Sequence, residues 1–216
     1  MNKLKRDQEL REKREKMIER QLRSRGISNA RVLSAFRKVA REAFLPPELR
    51  DKAYEDHPLP IGYNQTISQP YVVALMTESL GLSQVDRVLE VGAGSGYQTA
   101  ILAELVQDVY SIEIIESLYQ TAKTRLSALG YQNIHLKYGD GRNGWPEAGP
   151  FDKIIVTAGT EQIPPALVEQ LKEGGKIIIP IGEEDQDLVL GRKDKGILLS
   201  KPLIPVRFVQ LQSEAS

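Results

Sequence analysis

Val88-Leu89-Glu90-Val91-Gly92-Ala93-Gly94-Ser95-Gly96-Tyr97 opens as a short apolar run reaching an acid and closes with three glycines at alternate positions. A helix-like run, Gln98 to Leu105, follows. The order strand, tight glycine turn, helix start is the ligand-side corner of an α/β sheet. A dinucleotide fingerprint, G-x-G-x-x-G, would need its third glycine at position 97, where this chain has Tyr97. The loop holds no Lys or Arg to grip phosphate, which disfavours a pyrophosphate ligand. Glycines let the backbone approach a ligand without phosphate, and Glu90 at the strand's end can accept from a ligand ammonium, directly or through water.

Downstream the alternation continues. Strands are expected at 87–91, 109–113, 134–138, 152–157 and 176–180, with helices at 97–106, 116–129 and 165–171. Apolar strands alternating with helices mean a doubly wound, mostly parallel α/β sheet covered on both faces. Such sheets bind ligands beyond the carboxyl ends of their strands. Gly92–Gly96, Glu113, Asp140-Gly141 and Thr157-Ala158-Gly159 all fall at that edge. Glu113 lies 19 residues after Gly94, where an acid can accept both hydroxyls of a ribose. Asp140 is placed to reach an adenine amino group. The tail from Asp187 to Gln212 reads as two or three strands with Gly191 and Gly196 at bends.

Upstream, Pro70 marks the first turn of a helix that runs to Leu80, with Gly81 beyond its end. Thr66 and Ser68 then sit beside a helix start whose free N–H groups suit a carboxylate. Ser68 is either the cap of that helix or a group that positions the carboxylate. Tyr63 and Tyr71 either line a substrate groove or pack. Leu59-Pro60-Ile61-Gly62 is extended. A helix starting near Ser28 or Asn29 buries Val32, Leu33, Phe36 and Val39. Residues 1–25 carry ten basic residues against five acids, and Leu10, Met17, Ile18 and Leu22 form only a narrow stripe. That pattern predicts a surface helix from about residue 8 to 24, dispensable for chemistry, with a nucleic-acid arm as the alternative. The parts expected are a charged N-terminal helix (1–25), a helical and substrate-loop region (26–82), an α/β core (83–182) and C-terminal strands that complete the sheet and the substrate side (183–216).

Composition narrows the chemistry. The 216 residues have a net charge of +0, no Cys and two separate histidines, His57 and His135. Disulfides, a thiolate nucleophile and Cys-ligated zinc are excluded, and no metal is expected. Neither a nucleic-acid partner nor a membrane is expected. The first residues lack the apolar stretch of a signal peptide, so a cytoplasmic protein, acting as a monomer, is the expectation.

The acid-x-G-x-G-x-G pattern resembles motif I of the class I methyltransferases, which bind S-adenosylmethionine. The resemblance becomes specific with Pro58–Gly62, Gln65–Tyr71, Val88–Thr99, Gly139–Gly141, Gly144-Trp145, Pro150–Asp152 and Val206–Val209. Together these resemble the protein-L-isoaspartate O-methyltransferases, over nearly everything from about Met17 to Gln212. Gln65-Thr66-Ile67-Ser68 is the most discriminating stretch. The resemblance implies methyl transfer to the α-carboxylate of isoaspartyl residues in damaged proteins, whose ester then collapses to succinimide. It implies Ser68, with Thr66, at the active site, and substrate contacts at Ile67, Gln69 and Tyr71. It puts Glu90, Gly92, Gly94, Gly96, Glu113, Asp140 and Gly141 at cofactor positions. Asn64 stands where many members have glycine, and Gln210 where many have proline. A methyltransferase of small molecules or RNA, and a non-catalytic cofactor-binding scaffold, are the rival readings.

Overall fold

The apolar runs after residue 84 do assemble into one sheet, and their side chains alternate between its two faces. The computed structural model of the chain describes residues 3–213. Before the sheet come α1 (Lys3–Met17), α2 (Ala30–Lys38), a hairpin of β1 (Leu59–Gly62) and β2 (Gln65–Ile67), and α3 (Pro70–Leu80). Then follow β3 (Arg87–Val91), α4 (Tyr97–Ala103), β4 (Asp108–Glu113), α5 (Glu116–Ala128) and β5 (Ile134–Tyr138). The chain continues with β6 (Phe151–Val156), α6 (Pro165–Glu169), β7 (Leu171–Ile181), β8 (Gln186–Asp194) and β9 (Ile197–Val206). The sheet has seven strands in the order β5-β4-β3-β6-β7-β8-β9. The first five of these pair in parallel, and β8 and β9 add antiparallel.

Period-two alternation assigns each strand residue to a layer. Val88, Ile155 and Ile178 face a core built with α2, α3 and α4. Leu89, Val91, Ile154, Val156, Ile177 and Ile179 face a second core closed by Leu167 of α6, Phe151 and the half-buried Trp145. With both faces covered, only the strand ends remain as ligand sites.

Three expectations change. The strand foreseen at 176–180 begins at Leu171, so the helix before it stops at Glu169. Gly191 is not a bend: it lies in mid-strand opposite Ile177, and a Cβ there would stand 2.9 Å from Ile177 Cγ2 and 3.0 Å from Leu198 Cδ1. Leu59–Gly62 is extended as expected, and it forms one arm of a hairpin. The N-terminal helix starts at Lys3 and runs on through a π-helical turn (Ile18–Leu22) and a 3-10 turn (Arg23–Arg25). Its narrow stripe is an anchor, since Leu10, Met17, Ile18 and Leu22 are all buried. No helix among the described residues is long and apolar enough to cross a membrane.

Arg14 fastens α1 with polar bonds. It donates to Tyr54 Oη at 2.7 Å, to the Arg37 carbonyl at 2.7 Å and to Glu42 Oε1 at 3.2 Å. Arg14→Ala removes all three bonds and leaves the partly buried Glu42 and Tyr54 with only each other, so we expect a loss of about 2–3 kcal/mol of stability. Urea denaturation checks it, and a change under 0.5 kcal/mol (roughly the scatter of ordinary surface substitutions) would mean that α1 is not anchored this way.

Candidate active site

Strand order reverses between β3 and β6, so the connections after these two strands run in opposite directions and leave a crevice between them. Thr157 closes its floor: its N–H donates to the Val91 carbonyl at 2.9 Å and its Oγ1 to the Gly92 carbonyl at 2.6 Å. Gly92 has φ 97°, and a Cβ there would overlap Thr157 Oγ1. Gly94, at φ 53°, aims its N–H at Glu113 Oε2, 2.7 Å away. Gly96 immediately precedes α4, so the loop spans β3 to the helix in a few residues.

Glu113 is 5% exposed. Its Oε1 accepts from the Ile115 N–H at 2.9 Å. Burial pushes its pKa up, while the Ile115 and Gly94 N–H groups oppose that rise. Each carboxylate oxygen keeps a second lone pair, available to ligand hydroxyls. The cleft above it is lined by Gly92–Ser95, Glu113–Ile115, Gly141, Thr157-Ala158 and Thr66–Ser68, and among its lining residues Glu113 alone is acidic and none is Lys or Arg. One acid in an apolar slot without cations suits a ligand that is cationic, carries hydroxyls and lacks phosphate. S-adenosylmethionine fits that description.

Of the seven expected cofactor residues, Gly92, Gly94, Glu113 and Gly141 line the cleft, and Glu90, Gly96 and Asp140 do not. Glu90 is wholly buried beneath the glycine loop and does not line the cleft. Its Oε2 accepts from Thr99 Oγ1 at 2.5 Å and Ser111 Oγ at 2.6 Å, and its Oε1 has no partner among the described residues. Asp140 caps the turn at Gly141–Asn143 and pairs with Arg142 at 2.7 Å. Of that pair of positions only Gly141 reaches the cleft, where a Cβ would overlap Val91 Cγ1.

The hairpin and α3 build the opposite wall of the cleft. Tyr63 and Asn64 form its tip at φ 53° and 55°, a conformation that Asn tolerates nearly as well as the expected glycine. Thr66 is exposed on β2, Ile67 turns into the core and Ser68 is half-buried. Gln69 is the N-cap of α3, and no side chain caps this helix. The cap role open to Ser68 is therefore not the one built here. The Gln69 side chain instead donates to Asp56, 2.8 Å to Oδ1. Tyr71 lies under the Arg25 guanidinium at 3.5 Å, and Arg25 pairs with Asp56 at 3.2 Å. A second cavity of about 450 Å³ is bounded by Arg25, Gln69, Tyr71, Arg207 and Phe208. It shares Thr66, Ser68, Thr157 and Val209 with the first.

Arg25 and Asp56 were not assigned roles from sequence. Gln186 clamps Phe208, accepting from its N–H at 2.7 Å and donating to its carbonyl at 3.1 Å. Gln210, in place of the proline of many relatives, donates to the Glu183 carbonyl at 2.6 Å. Tyr71 lines the groove as foreseen, whereas Tyr63 lines neither cavity and is exposed. His57 is an exposed loop residue, and His135 stacks on Tyr110.

The family model of protein-L-isoaspartate(D-aspartate) O-methyltransferase matches residues 12–216. The match therefore reaches into α1, earlier than the boundary near Met17 expected from the motifs. A protein-L-isoaspartate O-methyltransferase of Opitutus terrae is 54% identical over 203 residues, 93% of this chain and 87% of that one. Its namesake from Dictyoglomus turgidum is 53% identical over 94% of this chain and 92% of its own. A solved protein-L-isoaspartate O-methyltransferase superposes with a TM-score of 0.85 at 33% identity over 93% of this chain, which spans 66% of that longer one. A Plasmodium falciparum structure, described as a beta-aspartate methyltransferase in complex with S-adenosyl-L-homocysteine, gives 0.81 at 28% identity over 92% of this chain and 97% of its own. This chain belongs to the protein-L-isoaspartate(D-aspartate) O-methyltransferase family, and its fold is that of the class I methyltransferases.

Burial holds the Glu90 carboxyl up to about 8, against an ordinary 4.5; the Ser111 and Thr99 hydroxyls oppose the rise and Glu113 adds to it. The folded protein thus retains a proton that the unfolded chain releases. This group's contribution to stability is complete below about pH 4.5 and is lost as pH rises toward 8. Glu90→Gln, which keeps an acceptor for both hydroxyls, should be stabilised relative to the parent increasingly from pH 5 to pH 8. Chemical denaturation at several pH values checks it; parallel stability curves for the two proteins would refute the protonated state.

Proposed function

We propose that this chain transfers the methyl group of S-adenosylmethionine to the α-carboxylate of L-isoaspartyl residues in damaged proteins, with Thr66 and Ser68 at the acceptor and Glu113 at the cofactor. The observation that carries the reading is the shared wall: Thr66 and Ser68 border both the acidic cleft and the groove beside it. A group held there from the groove side meets a ligand held from the cleft side.

S-adenosylmethionine, when bound, supplies a methyl group on a sulfonium that departs as a neutral thioether. The acceptor carboxylate, with a pKa near 4, is ionised at neutral pH, so this chain needs no general base. The residues' task is alignment and exclusion of water. Ser68 Oγ, unused by the helix, and Thr66 Oγ1 on the adjacent strand offer hydroxyl donors to the two carboxylate oxygens. Weak donors are appropriate, because the carboxylate's charge disappears in the transition state and a strong grip would favour the ground state. Glu113 would accept from ribose hydroxyls, with the Gly94 and Ile115 N–H groups fixing its orientation. Gly92, Gly94 and Gly141 keep the cleft open to the ligand, and Gly96 lets the loop turn into α4 against Ala122 and Leu126 of α5. Glu90 and Asp140 serve it indirectly, Glu90 by supporting the loop from below and Asp140 by shaping the turn that presents Gly141.

Methyl transfer from labelled cofactor to an isoaspartyl peptide, beside its normal aspartyl twin, tests the reaction; equal labelling of both would reject it. Ser68→Ala should lower the rate at saturating cofactor by at least about tenfold, with Tm lowered only a few degrees and cofactor still bound. Ser68→Thr should retain more activity. Normal turnover by the alanine variant would move the acceptor role to Thr66 and backbone N–H groups. Glu113→Gln should weaken cofactor binding by about 2 kcal/mol, read by calorimetry; unchanged affinity would remove Glu113 from the ribose site.

A further inference from the structure

Arg41 is wholly buried, and it is among the largest of the fully buried side chains. A charge there is costly unless its environment answers it. Among the described residues no carboxylate pairs with it. Two carbonyls answer it instead: its Nε donates to Ala53 O at 2.8 Å and its Nη2 to Ser68 O at 2.8 Å. Its guanidinium carbon stands 5.0 Å from the centre of the Tyr97 ring. Burial holds its pKa down to about 10, which still leaves it charged at neutral pH. Its Nη1 has no partner among the described residues.

The three groups it touches belong to three parts of the site. Ala53 ends the turn that leads to Asp56, whose carboxylate holds Gln69 and Arg25. Ser68 is the acceptor residue of the proposed reaction. Tyr97 is the first residue of α4 and follows the last glycine of the cofactor loop. The bond to Ser68 has a directional consequence. The Ser68–Gln69 peptide is trans, so its C=O and N–H point to opposite sides. With the carbonyl drawn inward to Arg41, the Gln69 N–H is turned outward, and no acceptor for it exists among the described residues. A hydrogen bond from a cation at the carbonyl also polarises the peptide and strengthens that N–H as a donor.

We infer that Arg41 is a positioning residue for methyl transfer: its buried guanidinium fixes the Ser68–Gln69 peptide plane so that the Ser68 hydroxyl and the Gln69 N–H are presented together to the substrate carboxylate. The inference rests on the acceptor role proposed for Ser68.

The test compares Arg41→Lys and Arg41→Met with Ser68→Ala in the intact protein. Active sites are counted by titration with S-adenosylhomocysteine, so only folded protein enters the rates. At saturating cofactor, kcat/KM for an isoaspartyl peptide should fall at least about tenfold in Arg41→Met. Arg41→Lys, which can reach one carbonyl but not both, should fall less. S-adenosylhomocysteine affinity, read by calorimetry, should stay within about threefold in both. A variant that melts lower but turns over normally per active site would overturn the inference, because Arg41 would then only support the fold. Equal losses of peptide turnover and of S-adenosylhomocysteine affinity would overturn it as well, locating the effect at Tyr97 and the cofactor loop. Should Arg41→Met fail to fold, Arg41→Lys decides alone by the same measures. The two readings separate cleanly: a fully active Ser68→Ala removes the acceptor assignment, whereas a slow Ser68→Ala beside a normal Arg41→Lys removes only the role of Arg41.

Discussion

The site depends on how closely two backbone segments can approach at the end of the sheet. Thr157 bonds to the carbonyls of Val91 and Gly92 from the neighbouring strand, and no side chain fits between them at position 92. That contact ties the end of β6 to the first residue of the glycine loop. The loop is then short enough for Gly94 to meet Glu113 and for Gly96 to start α4. A bulkier residue at position 92 would push the loop off β6 and lose the alignment of everything after it.

Two glutamates on adjacent strands show how depth decides the use of one chemical group. Glu113, at the last residue of β4, keeps one side toward the cleft and is held by backbone N–H groups that favour its charged form. Glu90, one residue before the end of β3, is closed off from solvent and held by hydroxyls that suit a neutral acid as well as an anion. In register Glu90 stands beside Ser111, so Glu113 lies one pleat further along the same face, beyond the last residue of β3. That step of one pleat puts Glu90 under α4, bonded to Thr99, and Glu113 at the edge where the cleft opens.

Much of this was legible in the sequence because parallel strands buried on both faces read as apolar runs, and because glycines at alternate positions after such a run suit a tight turn pressed against a ligand. Ser68, Thr66, Gly92, Gly94, Glu113 and Gly141 all lie at the one edge foreseen for them. What could not be read is what depends on pairing between distant segments. The burial of Glu90 follows from the helix packed above it, not from the motif. Asp140 pairs with Arg142, two residues on, and caps the turn that follows, a local role that a string of letters does not show. Gly191 looked like a bend because a glycine that admits a neighbour's side chain has the same letter as one that turns the chain. Arg41 has a partial signal: apart from the adjacent Glu42, its neighbours Val39, Ala40, Ala43, Phe44 and Leu45 are apolar, but the letters do not show that it turns to carbonyls and Glu42 to Arg14 and Tyr54. The anchoring of α1 was underestimated because the narrow stripe of Leu10, Met17, Ile18 and Leu22 suggested a weak face, whereas all four are buried.

The tail that follows β9 borders both cavities. Val206–Val209 walls the acceptor groove and Val209–Gln212 walls the cofactor cleft. Gln186 grips the tail at Phe208, and Gln210 pins it to the turn after β7. A single segment, fastened by two amide side chains, is thus a common doorpost for two compartments. For anyone attaching a label or a fusion partner, residues 206–212 run directly beside both cavities, while α1 offers a handle on an element that lines neither compartment.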